Sequence, residues 1–134
     1  MKEIEELDLP EDIRYAKSHE WARPADGTVR VGIDDYAQDQ LGDIVFVELP
    51  QVGDALRRGE EFGTIESVKA VAEVFLPVGG KVVSVNTQLE DSPDLVNRSP
   101  YENGWMVEIE PADPSELEGM MGKDAYLNML KGME

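Results

Sequence analysis

Residues 62–76 read Phe62-Gly63-Thr64-Ile65-Glu66-Ser67-Val68-Lys69-Ala70-Val71-Ala72-Glu73-Val74-Phe75-Leu76. Two runs rich in β-branched and aromatic residues, 62–67 and 71–76, are separated by three residues, a spacing that predicts two strands and a tight reversal. The reversal contains no glycine, which fits a type I turn, and it projects the Lys69 amine from the tip of a hairpin. A lysine at a strand edge also discourages sheet stacking, so the residue has a structural reading beside a chemical one. An amine on a rigid tip is what a modifying enzyme needs, because it can be reached without unfolding the sheet.

Working outward, the same rhythm of short strands recurs. Val29, Val31 and Ile33 alternate with Arg30 and Gly32 after an Asp26-Gly27 turn, the period of a half-buried strand. Residues 44–49 form a continuous apolar run that stops at Pro50, which predicts a strand across the centre of the core. Between these, Asp34 caps a short helix with Tyr36, Ala37 and Leu41 on one side, and Gly42 ends it. Further strands are expected at 81–85 and 105–109, punctuated by Pro77, Gly79-Gly80, Pro93, Pro100 and Asn103-Gly104. Asp113-Pro114-Ser115-Glu116 reads as a capping box with Glu116 reaching back, and after Gly122 a second helix carries Tyr126, Leu127 and Leu130. The expected fold is mainly β, a small sandwich or barrel of short antiparallel strands, since a single sheet this short leaves one face uncovered. Residues 1–12 read as a flexible acidic leader and 13–134 as one domain with a C-terminal helical segment, 114–131.

The chain has 134 residues, with 29 acidic against 12 basic side chains and a formal charge of −17, a balance that argues against a nucleic-acid partner. It has no cysteine and one histidine, which removes thiol catalysis, disulfides and Cys/His metal sites. Neither a nucleophile elbow nor a glycine-rich phosphate loop occurs, so a stand-alone enzyme is not expected. No segment approaches the roughly 18 apolar residues of a membrane span, and the expected setting is cytoplasmic. His19, in His19-Glu20-Trp21, reads either as a half-buried imidazole bonded to backbone or as a proton-transfer group.

Glu66-Ser67-Val68-Lys69-Ala70 resembles the lipoylation site of the glycine cleavage system H protein family, and the resemblance extends from about Ile13 to Lys131. Ser18-His19-Glu20-Trp21, Val31-Gly32-Ile33, Asp35-Tyr36-Ala37-Gln38, Leu41-Gly42-Asp43, Val45-Phe46-Val47-Glu48-Leu49-Pro50, Phe62-Gly63, and Pro100-Tyr101 through Gly104-Trp105 match in the same order. A biotinyl carrier typically reads Met-Lys-Met around its lysine, unlike Val68-Lys69-Ala70. Three stretches depart from the family pattern: Val71-Ala72-Glu73 after the lysine, Pro77-Val78-Gly79-Gly80, and Val85-Asn86-Thr87.

The resemblance implies a flattened barrel-sandwich hybrid, with lipoate in amide linkage to Lys69 and Glu66, Ser67, Val68 and Ala70 forming the recognised surroundings. It implies a non-catalytic carrier, expected to be monomeric, that takes the aminomethyl group of glycine from a pyridoxal-phosphate glycine decarboxylase to a tetrahydrofolate-dependent aminomethyltransferase. Dihydrolipoyl dehydrogenase would reoxidise the arm, and a lipoyl ligase or a lipoyl/octanoyl transferase would install it. Ser18, His19, Glu20 and Glu73 are the candidates for a cleft that holds the loaded arm: an ammonium taken from water needs a counter-charge. Two alternatives use the same lysine, a lipoate-binding protein of a sulfur-oxidising heterodisulfide-reductase-like system and a lipoyl relay in lipoate assembly.

Overall fold

The computed structural model describes residues 2–132; the first residue of the leader and residues 133–134 lie outside the described residues. In chain order the strands and helices are β1 (Arg14–Tyr15), β2 (Glu20–Ala25), β3 (Thr28–Ile33), α1 (Asp35–Leu41), β4 (Ile44–Glu48), β5 (Ala55–Leu56), β6 (Glu61–Ser67), β7 (Val71–Phe75), β8 (Gly80–Val85), α2 (Gln88–Asp91), α3 (Leu95–Arg98), β9 (Val107–Pro111) and α4 (Lys123–Gly132). They build two antiparallel sheets, one of six strands in the order β1-β2-β3-β9-β8-β5 and one of three in the order β4-β6-β7. The expected mainly β, two-layer fold is what the chain adopts, with the sheets left open rather than closed into a barrel.

Inward-facing side chains of both sheets make the main core, among them Val31, Ile33, Val47, Ile65, Val74 and Val82. Each such side chain taken from water contributes about 1.5–3 kcal/mol, and their alternation along the strands fixes the register. The three-stranded sheet has an inner row, Val47 opposite Ile65 opposite Ala72, and an outer row, Phe46 opposite Glu66 opposite Val71. Gly63 is required where β4 crosses close to β6, since a Cβ there would lie 2.2 Å from the Glu48 carbonyl oxygen.

Three expectations need correction. The run at 44–49 does not cross the core: β4 is an edge strand with a bulge between Ile44 and Phe46, and Val45 and Phe46 face solvent. The helix start at Asp113 is a 3-10 turn, Pro114–Gly119, whose Asp113 caps Ser115. Its Glu116 carboxylate accepts the Gly79 amide at 2.9 Å instead of reaching back to Asp113. Where the sequence reads as a flexible leader, the described residues pack. Ile4–Glu6 form a 3-10 turn, Lys2 pairs with Asp35 at 2.8 Å, and Leu9 is buried with Ile13, Tyr15, Trp21 and Tyr126 in a second apolar cluster. Apolar Ile4, Leu7 and Leu9 among the acids are what hold it. The C-terminal helix joins that cluster through Tyr126 and Leu130, with Tyr15 and Tyr126 stacked at 4.7 Å between centroids.

Candidate functional site

Lys69 stands at the tip of the β6–β7 hairpin, beyond the Glu66–Val71 pair, and its side chain is exposed. The reversal is closed largely by Ser67. Its amide donates to the Ala70 carbonyl at 2.8 Å, and its hydroxyl oxygen accepts the amides of Lys69 at 3.3 Å and Ala70 at 3.1 Å. A short hydroxyl side chain that mimics a turn carbonyl explains how a glycine-free loop turns this tightly. The Val68 amide donates to the Asp43 carbonyl at 3.0 Å, which ties the tip to the loop after α1. The Lys69 stem lies against Gly42, at φ +77°, where a Cβ would come within 3.4 Å of the Lys69 Cε.

Gly42 follows Leu41, and Leu41 lines a cleft of about 190 Å³ that the sequence-predicted Ser18, His19, Glu20 and Glu73 also line, together with Tyr36. Four residues singled out from 18–20 and 73 therefore meet at one cavity, whose lining reaches Leu41, the residue before Gly42. Their environments differ. Glu20 is 2% exposed: its Oε1 accepts the Ser18 hydroxyl and its Oε2 accepts the Phe75 amide at 3.1 Å. Burial pushes its carboxyl up to about 7, against the lowering effect of those hydrogen bonds. Glu73 sits exposed at the rim. The Glu20 carboxylate is thus short of solvent and poised near neutrality, able to pair with a cation that enters the cleft.

His19 adopts φ +76°, uncommon outside glycine, and this places Ser18 and Glu20 around the same opening. Its Nδ1 shares a 2.6 Å hydrogen bond with the Tyr126 hydroxyl, its ring packs on Tyr36 at 4.7 Å, and burial lowers its basicity. Behind it lies Asp34, fully buried, with one carboxylate oxygen capping α1 at the Ala37 amide and the other unpartnered. Desolvation raises Asp34 to about 7, against the lowering effect of the Ala37 amide bond. The sequence reads Asp34 only as a helix cap and Tyr126 only as helix packing. The place of Tyr126 behind the cleft depends on its contact with His19, 107 residues away in sequence, and no local signal marks it.

Fold and site together define a class: a small two-sheet β domain that displays one lysine at a hairpin tip beside a cleft with a buried carboxylate. The glycine cleavage H-protein family model matches residues 13–133, and the chain belongs to that family. A glycine cleavage system H protein of Anaeromyxobacter sp. (strain K) is 52% identical over 128 residues, covering 96% of this chain and all of the relative. One from Oceanobacillus iheyensis is 54% identical over 120 residues, 90% of this chain and 95% of its own length. The crystal structure of a glycine cleavage system H protein from Mycobacterium marinum superposes with a TM-score of 0.84 at 36% identity, covering 92% of this chain and 99% of that one.

Proposed function

We propose that this chain is the lipoyl carrier of glycine cleavage, with lipoate in amide linkage to Lys69, receiving the aminomethyl group released by glycine decarboxylase and delivering it to the folate-dependent aminomethyltransferase. The observation that carries the reading is the adjacency of an exposed tip lysine and a cleft that opens one residue further along, at Leu41 beside Gly42. The residues present fit the group. The lysine stem lies against Gly42, the residue next to Leu41 of the cleft lining, and the cleft contains a buried carboxylate for a cationic cargo. When attached, the lipoyl group supplies the disulfide that takes up the cargo and is itself reduced.

The protein's own residues then do three things. Ser67 and the Asp43 carbonyl fix where the arm is rooted, so a docked partner meets it at an effective concentration in the millimolar range. Glu20, held by Ser18 and the Phe75 amide, offers its negative charge to the cargo's ammonium once that ammonium leaves water. Tyr36 and Leu41 exclude solvent around the pair. The relatives described above carry the glycine cleavage name, which does not favour the sulfur-oxidation or relay alternatives. The deciding experiment is intact mass before and after exposure to a lipoate–protein ligase with lipoate and ATP, then peptide mapping, then an assay with decarboxylase and glycine. Lipoate on Lys69 and glycine-dependent turnover are expected; lipoate on another lysine of the folded protein, or no turnover after lipoylation, overturns the reading.

A further inference from the structure

The cleft that holds Glu20 shares a wall with a second, larger cavity of about 360 Å³, and the two differ in the charge that lines them. Ser18 lines both. The second cavity sits at the base of the β6–β7 hairpin, where Glu61 pairs with Phe75 and the Gly59 amide donates to the Leu76 carbonyl at 2.8 Å. Lys69 stands at the other end of the hairpin, the length of β7 away, roughly 15 Å. The cleft is lined by the acids Glu20 and Glu73 and, among the described residues, by no lysine or arginine. The base cavity is lined by Lys17 and Arg58 against one acid, Glu116, whose carboxylate already accepts the Gly79 amide at 2.9 Å. Arg14 adds a third cation beside it, its guanidinium donating at 3.3 Å to the carbonyl of Met120, a lining residue. None of Arg14, Lys17 and Arg58 takes part in an ion pair among the described residues. In a chain with 29 acidic and 12 basic side chains, three unpaired cations around one cavity are the reverse of what composition favours.

We propose that this base cavity binds a small carboxylate with an unbranched hydrocarbon body, its head drawn by Lys17 and Arg58 and its body laid along Leu76, Pro77, Met120 and Met121. Two lining cations against one lining acid match a single negative charge. The volume falls in the range of small-molecule sites, roughly 300–1,000 Å³, and an inorganic anion would meet the cations yet leave the apolar lining unused. Methionine side chains, unbranched and flexible, fit themselves to a chain-like occupant. The site stands independently of what Lys69 carries. It also reaches Glu20 from outside the cleft: the Ser18 hydroxyl and the Phe75 amide hold the Glu20 carboxylate, and both residues line the base cavity. An occupant there bears on the two groups that fix this acid.

The test is a calorimetric titration of the full chain with sodium octanoate at constant ionic strength, repeated with butyrate and with inorganic phosphate, while NMR follows the side-chain carboxyl carbon of Glu20. Saturable binding of one octanoate per chain is expected, about tenfold or more tighter than butyrate, since each methylene taken from water strengthens binding several-fold. Lys17→Gln with Arg58→Gln should weaken octanoate about tenfold, the size expected when charge-assisted bonds become neutral. Arg57→Gln with Lys81→Gln, which removes the same charge from a neighbouring groove, should bind as wild type. The Glu20 resonance should shift as octanoate saturates. Absence of saturable binding overturns the inference, as does phosphate binding more tightly than octanoate. Equal weakening in the two double variants would reduce the effect to net charge, and a Glu20 resonance unmoved at saturation would place the ligand elsewhere; either result also overturns it.

Discussion

The hairpin tip and the cleft wall are neighbours in space and opposites in construction. At the tip, Val68, Lys69 and Ala70 are exposed and the shape is held by backbone amides and one serine hydroxyl. At the wall, Glu20 and Asp34 are buried, and side chains from β2, α1 and α4 hold the shape. A group that must be handed between enzymes needs exposure, whereas a group that must keep a labile cargo needs desolvation. In the proposed reading the chain divides the two demands between neighbouring sites instead of compromising within one.

Replacing the tip amine should have the largest effect. Lys69→Arg keeps the charge, yet guanidinium stays protonated and is a poor acyl acceptor, so lipoate uptake should vanish while the fold and cleft persist. Lipoate mapped to Lys17 or Lys81 in the folded variant would break the assignment of the tip as the handover point. Next in size, Gly63→Ala should destabilise the chain by about 2–3 kcal/mol, because the new methyl meets the Glu48 carbonyl and forces β4 from β6. A denaturant midpoint unchanged from wild type would show that the tip does not depend on the sheet beneath it.

The cleft wall gives a smaller and more selective effect. Glu20→Gln should accept lipoate normally but lose ammonia and formaldehyde from the loaded carrier several-fold faster, since a charge-assisted bond worth about 1 kcal/mol more than a neutral one is gone. Glu73→Gln, at the exposed rim, should change that rate less; a larger effect there would move retention from the buried wall to the rim. The same acid makes stability depend on pH. Glu20 and Asp34 rise to about 7 on folding, so between their ordinary values near 4 and 7 the folded chain holds protons that the unfolded chain has released. Stability should therefore fall as pH rises through this window, and Glu20→Gln should flatten part of the slope in thermal melts between pH 5 and 8. The smallest change expected is from Ser67→Ala. Losing the hydroxyl that caps the reversal should cost about 1 kcal/mol and slow lipoylation modestly, read by melting and by mass gain.

The sequence was most informative where physics is local. Period-two alternation marked β3, the Asp34 cap and Gly42 bracketed α1, and two apolar runs three residues apart marked the Lys69 hairpin. β4 misleads because its continuous apolar run looks like a buried strand, while an edge position and a bulge turn Val45 and Phe46 outward. β2 went unread because Glu20, Trp21 and Ala22 are all buried and show no alternation, and because Pro24 normally argues against a strand. Here β1 spans only two residues, so Pro24 pairs with Val29 on one side and has no β1 partner on the other, which the missing amide tolerates. Family resemblance points to the Ser18-His19-Glu20 segment, and the need for a counter-charge near the lysine points to Glu73; all four line one cleft. Tyr126 is out of reach of local signals because tertiary packing alone brings α4 behind His19, and Asp34 reads only as the cap of α1.

The hydrogen bond from the Val68 amide to the Asp43 carbonyl has a mechanical consequence. A hairpin anchored only at its base would wag, and the root of anything attached to Lys69 would sweep an arc with it. Fastened to the segment that runs directly from α1, the root and the cleft share one frame. Thermal bending of the sheet then carries both together, so a tether rooted at Lys69 as proposed would keep the cleft at a constant distance from its root.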